Sequence, residues 1–342
     1  MQDKAFRQRE QSKRPKILIL ANREALSGKI SGASLRLKSV HDVCSELGAE
    51  IYLEKASIKS VKSSEKYDLI VFCSFSVIWT LNFFRYKEKK IWIDLTDTIL
   101  GTLGYQVRMH YPFRKIGSSL RAMITVMALR KVNVISYISS RDLLSDRRLL
   151  VKKTEAFYVF PNKPVHFSFS QSQESRFIFM GTLKYLPNSR GLFTLLDFLI
   201  KNNHEHLVRK IHVYGEVSPL VRSKYPNVHW HGYNDYLANL QDVHIAPILD
   251  GAGIKNKVAN PIFNGLQVIT TTEGANGLMP QENLNICTSL EEFTTAMLNV
   301  NKTEFDVQQL KHLKFEKNQR NELLRFLRDI LDVTGQENHQ CK

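Results

Sequence analysis

The chain has 342 residues, 43% of them hydrophobic, which is enough for about two globular domains. Its four cysteines are scattered without a CxxC or Cys/His ligand spacing, which argues against a disulfide scaffold and a zinc site. The net charge is +15, and residues 1–165 contain all of this excess, with 30 Lys and Arg against 15 Asp and Glu.

This one-sided charge indicates that the first half faces an anionic partner, namely nucleic acid, membrane lipid or a phosphorylated substrate, unless it is only a basic soluble surface. The N-terminus is polar for sixteen residues and does not read as a signal peptide. The most apolar stretch, residues 69–84, is shorter than the ~20 residues of a spanning helix. We therefore expect a soluble protein or one that lies on a membrane surface.

In the first half, short apolar runs alternate with helical patterns, which predicts a parallel sheet with helices on both faces. The predicted strands are KILILA (16–21), IYLEKA (51–56), YDLIVFCS (67–74), KIWIDLTD (90–97), NVISYISS (133–140) and FYVFPN (157–162). The predicted helices are residues 34–48, 76–84, 141–150 and, apart from its start around Pro112 and Gly117, 108–132.

The second half repeats this alternation after a Ser- and Gln-rich segment. The predicted strands are RFIFMGTL (176–183), KIHVYGE (210–216), NVHWHGY (227–233), VHIAPIL (243–249), LQVITTT (266–272) and LNICTS (284–289). The predicted helices are residues 188–202, 236–241, 289–301 and 304–333. The predicted fold is α/β, with two doubly wound, Rossmann-like domains facing each other across a cleft. The predicted segments are a polar leader (1–15), a basic domain (16–165), a linker (166–175), a second domain (176–315) and a C-terminal helix and tail (316–342).

Ligands of such domains bind at the carboxyl ends of the strands, so the loops there are the candidate sites. In the first domain, SGKISGAS (27–34) opens a helix, but it lacks the spacing of a dinucleotide fingerprint or a P-loop. Arg36 follows one turn later and faces either a ligand or solvent. Asp94 and Asp97 stand at a strand end, where they could orient hydroxyls or take a proton, although Asp97 equally suits a helix cap. His110 is a second candidate in a basic setting.

Three strand-end loops of the second domain are rich in polar residues. In MGTLKYLPNSRGL (180–192), Asn188 or Ser189 could cap a helix that has Lys184 and Arg190 near its start. GAGIKNKVANPIFNG (251–265) contributes two lysines, and TTTEGANGL (270–278) contributes threonines and glycines. Cations beside a helix N-terminus favour a phosphate site, so two of these loops could converge on a diphosphate.

The order of these motifs carries a family resemblance. FMGTLKYLPNSRGLFTLL, then VYGE, then VHWHGYNDYLANLQDVHIAPILDGAGIKNKVANPIFNGLQVITTTEGANGL resembles the donor-binding domain of group 1 Leloir glycosyltransferases with the GT-B fold. These are retaining enzymes, and the likeness is to those of bacterial surface-polysaccharide synthesis. Upstream, KILILA with the following glycine loop and helix, and YVFPN, resemble weaker motifs of the acceptor domain.

The resemblance implies a nucleotide-sugar donor, UDP- or GDP-linked, whose diphosphate is held by basic side chains and glycine-loop amides, with neither a metal nor a cofactor. The implied donor-binding residues are Gly32, Gly181, Lys184, Asn188, Arg190, Gly251, Gly253, Lys255, Lys257, Asn260, Thr272 and Gly274. Arg36 and Asp94 are the candidates on the acceptor side, and Asp97 and His110 are the catalytic candidates.

One position pair departs from the family, which usually carries two glutamates separated by seven residues. Ala252 and Asn260 stand in their places. Asn260 could still donate or accept a hydrogen bond with a ribose hydroxyl, or it could cap a helix with Pro261 at the first helical position. This departure leaves the donor, the stereochemical outcome and the activity open.

The implied acceptor is a lipid-linked molecule or a saccharide. The basic residues 1–165 would dock on anionic lipid at the inner face of the cytoplasmic membrane, each cation near the surface adding roughly 1 kcal/mol. Two alternatives stay open: a GT-B-like partner subunit without transfer activity, and a nucleic-acid-binding protein. No recognisable nucleic-acid-binding motif supports the latter, so nucleic acid is not expected as a partner.

Overall fold

The computed structural model describes residues 14–28, 31–56, 66–73, 90–95, 132–146, 156–159, 162, 165–170, 174–232, 236–250, 254–278, 280, 282–300 and 311–331, with the backbone alone at 156–157 and 311–319. The chain divides into two compact units. The first comprises Met1–Lys163 and Phe315–Lys342, and the second comprises Pro164–Lys314. The segment 166–175, predicted as a linker, thus falls within the second unit.

The first unit is built on a six-stranded parallel sheet in the order β2-β1-β3-β4-β5-β6. Its strands are β1 (Lys16–Ala21), β2 (Glu50–Lys55), β3 (Leu69–Cys73), β4 (Lys90–Leu95), β5 (Val134–Tyr137) and β6 (Ala156–Val159). Strands β1, β3, β4 and β5 are almost entirely buried, because a parallel sheet covered on both faces needs apolar residues at successive positions.

Helices α1 (Gly32–Glu46) and α2 (Ser140–Asp146) connect strands of this sheet. Helix α1 begins with a capping box, in which the side chains of Ser31 and Ser34 each accept the other's backbone N–H. The long helix near the C-terminus, α8 (Lys311–Ile330), buries Leu323 and Leu327 against α1 and the first sheet. The chain therefore returns to its first unit after completing the second.

The second unit contains a six-stranded parallel sheet in the order β12-β11-β10-β7-β8-β9. Its strands are β7 (Phe177–Met180), β8 (Ile211–Tyr214), β9 (His229–His231), β10 (Val243–Ala246), β11 (Gln267–Thr271) and β12 (Leu284–Cys287). Its helices are α3 (Leu186–Lys201), α4 (Glu205–Val208), α5 (Pro219–Lys224), α6 (Asn256–Phe263) and α7 (Leu290–Leu298). Helices α3 and α7 cover one face of this sheet, and α6 covers part of the other.

The predicted α/β architecture with two doubly wound sheets is confirmed. One predicted helix, residues 236–241, is wrong. Ala238 forms an isolated bridge with Phe169, and Asp242 accepts the backbone N–H of Asn239 in a turn. These contacts bind the segment to an extended stretch of chain, which overrides its weak helical pattern.

Candidate functional site

The second sheet reverses its strand order between β7 and β10, which are hydrogen-bonded neighbours although β8 and β9 lie between them in sequence. At such a topological switch point, the loops after the two central strands diverge and leave a crevice outside the carboxyl ends. The loop after β7 leads to α3, and the loop after β10 leads to α6. The two most basic strand-end loops of the second unit therefore meet at one place.

Lys257, on α6, reaches the loop that follows β7. Its ammonium group donates a hydrogen bond to Oδ1 of Asn188 and lies 5.1 Å from the centre of the Phe179 ring. A Cβ placed on Gly181 would lie 3.0 Å from Lys257 Nζ and 2.8 Å from Asn188 Nδ2. The absence of a side chain at Gly181 therefore makes room for the ammonium group.

The protonation of Lys257 is unusually sensitive to this setting. Burial, and secondarily the positive charge of Lys255, lower the pKa of Lys257 to about 7. Within the described part of the chain, no carboxylate forms an ion pair with Lys257. A buried cation without an acidic partner is costly for folding, and an anion bound at this crevice would supply the missing charge.

Helix α6 begins at Asn256, and the side chain of its N-cap residue, Lys255, makes no capping hydrogen bond. Lys255 is its N-cap residue, so two lysines stand at the positive end of the helix dipole. The prediction of Asn260 as the cap of this helix, with Pro261 at its first position, is wrong. Both residues lie inside the helix, where Pro261 has no N–H to donate to the carbonyl of Lys257.

The side chain of Asn260 is used within the second unit. Its Oδ1 accepts the backbone N–H of Val165 at 3.3 Å. One turn later, Asn264 accepts the N–H of Phe167 at 2.9 Å and donates to the carbonyl of Val165 at 2.8 Å. Asn260 in α6 and Asn264 at its C-cap thus hold the segment that enters the unit. The donor-binding role predicted for Asn260 stays a prediction and would compete with this contact.

Lys184 and Arg190 each form an exposed ion pair. Lys184 Nζ lies 2.6 Å from Glu216 Oε2, and Arg190 Nη1 lies 3.2 Å from Asp250 Oδ2. Exposed pairs of this kind contribute little to stability, so both cations remain able to exchange partners. Their assignment to an anion site therefore stays a prediction.

Asn188 and Ser189 do not cap α3, which begins at Leu186 with Tyr185 at the N-cap position. The side chain of Asn188 bonds instead to the loop and to Lys257, and Ser189 Oγ donates to the carbonyl of Leu186. The predicted cap is wrong because Pro187 already suits the first helical turn, where no backbone donor is required.

Two glycines that the sequence reasoning missed bring these elements together. A Cβ on Gly191 of α3 would lie 1.8 Å from the carbonyl oxygen of Pro247, which follows β10. A Cβ on Gly215, after β8, would lie 2.2 Å from the carbonyl oxygen of Gly181. Gly191 belongs to the loop MGTLKYLPNSRGL (180–192), but only the tertiary contact explains why glycine is needed there.

A pocket of about 670 Å³ opens beside the same loops. Its apolar lining includes Leu183, Phe193 and Val221, and its polar lining includes Glu216 and His231. The lining comes from the loops that follow β7, β8 and β9 at the carboxyl edge of the sheet and from helices α3 and α5. This size and mixed lining are typical of a small-molecule site.

The third loop of the second unit is held to its own sheet. Gly274 is buried, and a Cβ there would lie 2.0 Å from Thr270 Oγ1. Its N–H donates to Thr271 Oγ1, while Thr272 is exposed. The close packing of Gly274 accounts for its small size, and the binding roles predicted for Thr272 and Gly274 stay predictions.

In the first unit, Arg36 and Asp94 are both fully buried and bind each other. Arg36 Nε donates to Asp94 Oδ2 at 2.7 Å, and Ser136 Oγ donates to Asp94 Oδ1 at 2.6 Å. Trp92 Nε1 in turn donates to Ser136 Oγ at 2.7 Å. These contacts give both charges a structural role, so their predicted acceptor role would require a ligand to reach into the core.

Gly32 is exposed and is the first residue of α1. Asp97, His110, Gly251, Ala252 and Gly253 lie outside the described residues.

Across the described ranges, no group of three or more His, Cys, Asp or Glu side chains is arranged to hold a metal ion. No helix in the part of the chain that the structure describes is both long and apolar enough to cross a bilayer.

Neither a protein-family model nor any curated protein matches the sequence. Solved structures do resemble the chain. Sucrose-phosphate synthase from Thermosynechococcus elongatus superposes with a TM-score of 0.67 at 11% identity, covering 92% of this chain and 99% of that one.

Anabaena HepE, solved with UDP and glucose, gives a TM-score of 0.62 at 12% identity, covering 94% and 100% of the two chains. A UDP-forming α,α-trehalose-phosphate synthase from Burkholderia xenovorans gives 0.58 at 8% identity, covering 94% and 99%. Identities this low establish the fold alone. With its two Rossmann-like sheets and these structural neighbours, the chain has the GT-B glycosyltransferase fold.

Proposed function

We propose that the protein is a glycosyltransferase that takes a sugar from a nucleoside-diphosphate sugar bound by its second unit. One observation carries this proposal. Lys257 places a mostly buried ammonium group, with a pKa lowered to about 7, at the topological switch point of the second sheet. A crevice that confines a cation at the carboxyl ends of the strands suits a diphosphate.

The chemistry follows from the charge of the leaving group. Transfer breaks the bond between the anomeric carbon and the diphosphate oxygen, which keeps the electron pair. An acceptor hydroxyl bonds to that carbon, and its proton passes to the departing diphosphate or to water. Lys257, Lys255 and the positive end of the α6 dipole would stabilise the negative charge that develops on the diphosphate. Such preorganised cations act most strongly where water is excluded.

The pocket bounded by Leu183, Phe193 and Val221 is our candidate for the nucleoside end of the donor. It adjoins Gly215, whose backbone contacts that of Gly181 in the loop that receives Lys257. Apolar walls suit a stacked base, and Glu216 with His231 could accept or donate hydrogen bonds at its edge. The structural neighbour HepE was solved with UDP, which supports a uridine or related nucleotide as the first donor to test.

The acceptor side of the proposal rests on charge. The excess of +15 in residues 1–165 favours an anionic membrane surface as the docking partner, and a lipid-linked or saccharide acceptor would be presented there. We accordingly propose a peripheral enzyme of cell-surface polysaccharide synthesis at the inner face of the cytoplasmic membrane. Sedimentation with anionic and neutral vesicles tests this part, and equal binding to both would contradict it.

One observation favours an alternative, a GT-B-like partner subunit that does not transfer sugar. Asn260 stands where the resembling family carries a glutamate, and its amide oxygen is engaged by the backbone of Val165. A donor that relied on this position for its ribose would find no carboxylate there.

Calorimetry with UDP, GDP, their sugar conjugates and inorganic pyrophosphate separates the two functions. An enzyme binds one nucleotide and slowly hydrolyses the matching donor when no acceptor is present. If none of these compounds produces a binding signal, nucleotide binding is contradicted altogether. Binding without any hydrolysis or transfer favours the alternative. Lys257→Met should abolish the binding, and Lys201→Met, on an exposed part of α3, should leave it unchanged.

A further inference from the structure

Asn188 is buried with only 6% of its surface exposed, and it stands in the first turn of α3. Its Nδ2 donates to the carbonyl oxygen of Thr182 at 2.9 Å, and its Oδ1 accepts from Lys257 Nζ. The two polar ends of one amide therefore join the loop after β7 to the lysine of α6.

These two contacts fix the orientation of the amide. A carbonyl oxygen can accept but cannot donate, so only the NH₂ group can face Thr182. The amide oxygen must then face Lys257, whose ammonium group donates the hydrogen bond to it. Gly181 leaves room for this arrangement, because a Cβ there would lie 2.8 Å from Asn188 Nδ2.

The partner of Lys257 is neutral, and this decides what the site can do. A carboxylate at position 188 would form an ion pair with the ammonium group and cancel its charge. An amide oxygen orients the same group and leaves the positive charge of its protonated form available to an anion. The amide of Asn188 therefore positions the ammonium group of Lys257 without neutralising its charge.

We propose that Asn188 is a positioning residue that holds the ammonium group of Lys257 beside Gly181, with its charge uncompensated, so that it can receive the donor's diphosphate. Asn188 acts through Lys257 and does not itself contact the donor. The inference rests on the proposed function only in naming the anion as a diphosphate, since the contact itself is a feature of the folded chain.

Few charged groups lie near Lys257 among the described residues, so the protonation of its ammonium group can be followed by titration. Lys255, from the N-cap of α6, is the charged group that acts on it, and Phe179 and Asn188 are uncharged. The cations of the facing loop and of α3, Lys184 and Arg190, are exposed and paired with acidic side chains. A titration near pH 7 that Lys257→Met removes therefore reports Lys257, whereas one that this variant keeps belongs to the phosphates of the ligand.

Two variants test the proposal by the pH dependence of pyrophosphate and UDP binding. Asn188→Ala removes the acceptor, and we expect affinity to fall by about tenfold while the group that titrates near pH 7 remains in the profile. Asn188→Asp keeps an acceptor but adds a charge. We expect a similar or larger loss, and the titration near pH 7 should disappear, because the carboxylate raises the pKa of Lys257.

Asn202→Asp is the matched control, since it adds the same charge at the exposed C-cap of the same helix. It should leave both affinity and profile unchanged. If Asn188 were only structural, Asn188→Ala would keep the wild-type affinity and Asn188→Asp would keep the wild-type pH profile, and that result overturns the proposal.

A measurement on the unaltered chain covers variants that fail to fold. The side-chain amide resonances of Asn188 should titrate with a midpoint near pH 7 in the absence of any ligand, and resonances that stay constant from pH 6 to 8.5 contradict the contact. If wild type shows this titration but binds neither pyrophosphate nor a nucleotide, the proposed function fails while the positioning contact stands.

Discussion

The ammonium nitrogen of Lys257 occupies the side of Gly181 on which any other residue would carry its Cβ, 3.0 Å from that position. Gly181 also has a φ of +146°, which side-chain-bearing residues rarely adopt. One glycine therefore fulfils two needs, a backbone conformation and a space for a cation. The relationship links β7 and α6, which are far apart in sequence.

Gly181→Ala should accordingly reduce both stability and binding. The backbone strain should cost about 1–3 kcal/mol, and the displaced ammonium group should weaken nucleotide binding by about tenfold or more. Urea unfolding and calorimetry measure the two effects. Gly48→Ala is the control, because Gly48 has a φ of +68° but no atom within 4 Å of the place that a Cβ would take. Equal effects of the two substitutions on binding would contradict the role that we assign to Gly181.

Lys257 should make the stability of the second unit depend on pH. Because burial lowers its pKa from 10.5 to about 7, the unfolded chain holds more protons between these values. The free energy of unfolding is therefore highest, with respect to this group, above pH 10.5. It decreases as the pH falls toward 7, because protonation then favours the unfolded chain. In urea unfolding between pH 7.5 and 9, Lys257→Met should remove a rise of roughly 1 kcal/mol per pH unit. Lys201→Met should keep that rise.

Donor binding should take up a proton at alkaline pH. An anion at Lys257 favours the ammonium form, so at pH 8 the bound state holds close to one more proton than the free protein and free ligand together. Calorimetry of UDP, which is almost fully ionised at pH 8, in buffers of different ionisation enthalpy measures this number. It should vanish in Lys257→Met, and an apparent enthalpy that is independent of buffer in the wild type would rule out the linkage.

The buried Arg36–Asp94 pair should be structural. Arg36→Met or Asp94→Leu leaves one uncompensated charge in the core of the first unit and should cost about 3–5 kcal/mol. The double variant should lose clearly less than the sum of the two single variants. Urea unfolding measures all three, with exposed Arg23→Met as the control. Single variants of unchanged stability with impaired acceptor use would instead support the predicted acceptor role.

His244 should make the second unit sensitive to acid. It is fully buried with its Nε2 2.7 Å from the Tyr236 hydroxyl, and burial, with a smaller contribution from Arg176, lowers its pKa from 6.5 to about 3. A lowered pKa means stability that is complete above pH 6.5 and is lost as the pH falls toward 3. Between pH 7 and 5 the loss should be about 2 kcal/mol.

Thermal or urea unfolding at the two pH values checks this loss. His244→Gln should show a smaller decline with acid, whatever its stability at pH 7, and exposed His41→Gln should decline as the wild type does. A decline in His244→Gln equal to that of the wild type would show that other groups cause the acid sensitivity.

Local sequence determined the strands of this protein. The runs KILILA, LIVFC, FIFM and VHIA are strands because consecutive apolar residues suit a sheet that is covered on both faces, and the alternation with helical segments determined two parallel sheets. The strand-end loops were also visible in the sequence as clusters of glycine, lysine and threonine. The GT-B fold was therefore predictable from pattern and resemblance.

Only the tertiary structure decided the contacts between these elements. Strand order places the loops after β7 and β10 side by side, and this neighbourhood makes Asn188 a partner of Lys257 instead of a helix cap. In the same way, burial turns Arg36 and Asp94 into an ion pair within the first unit. A side chain's protonation and role depend on what surrounds it in space, and the linear sequence states only what precedes and follows it.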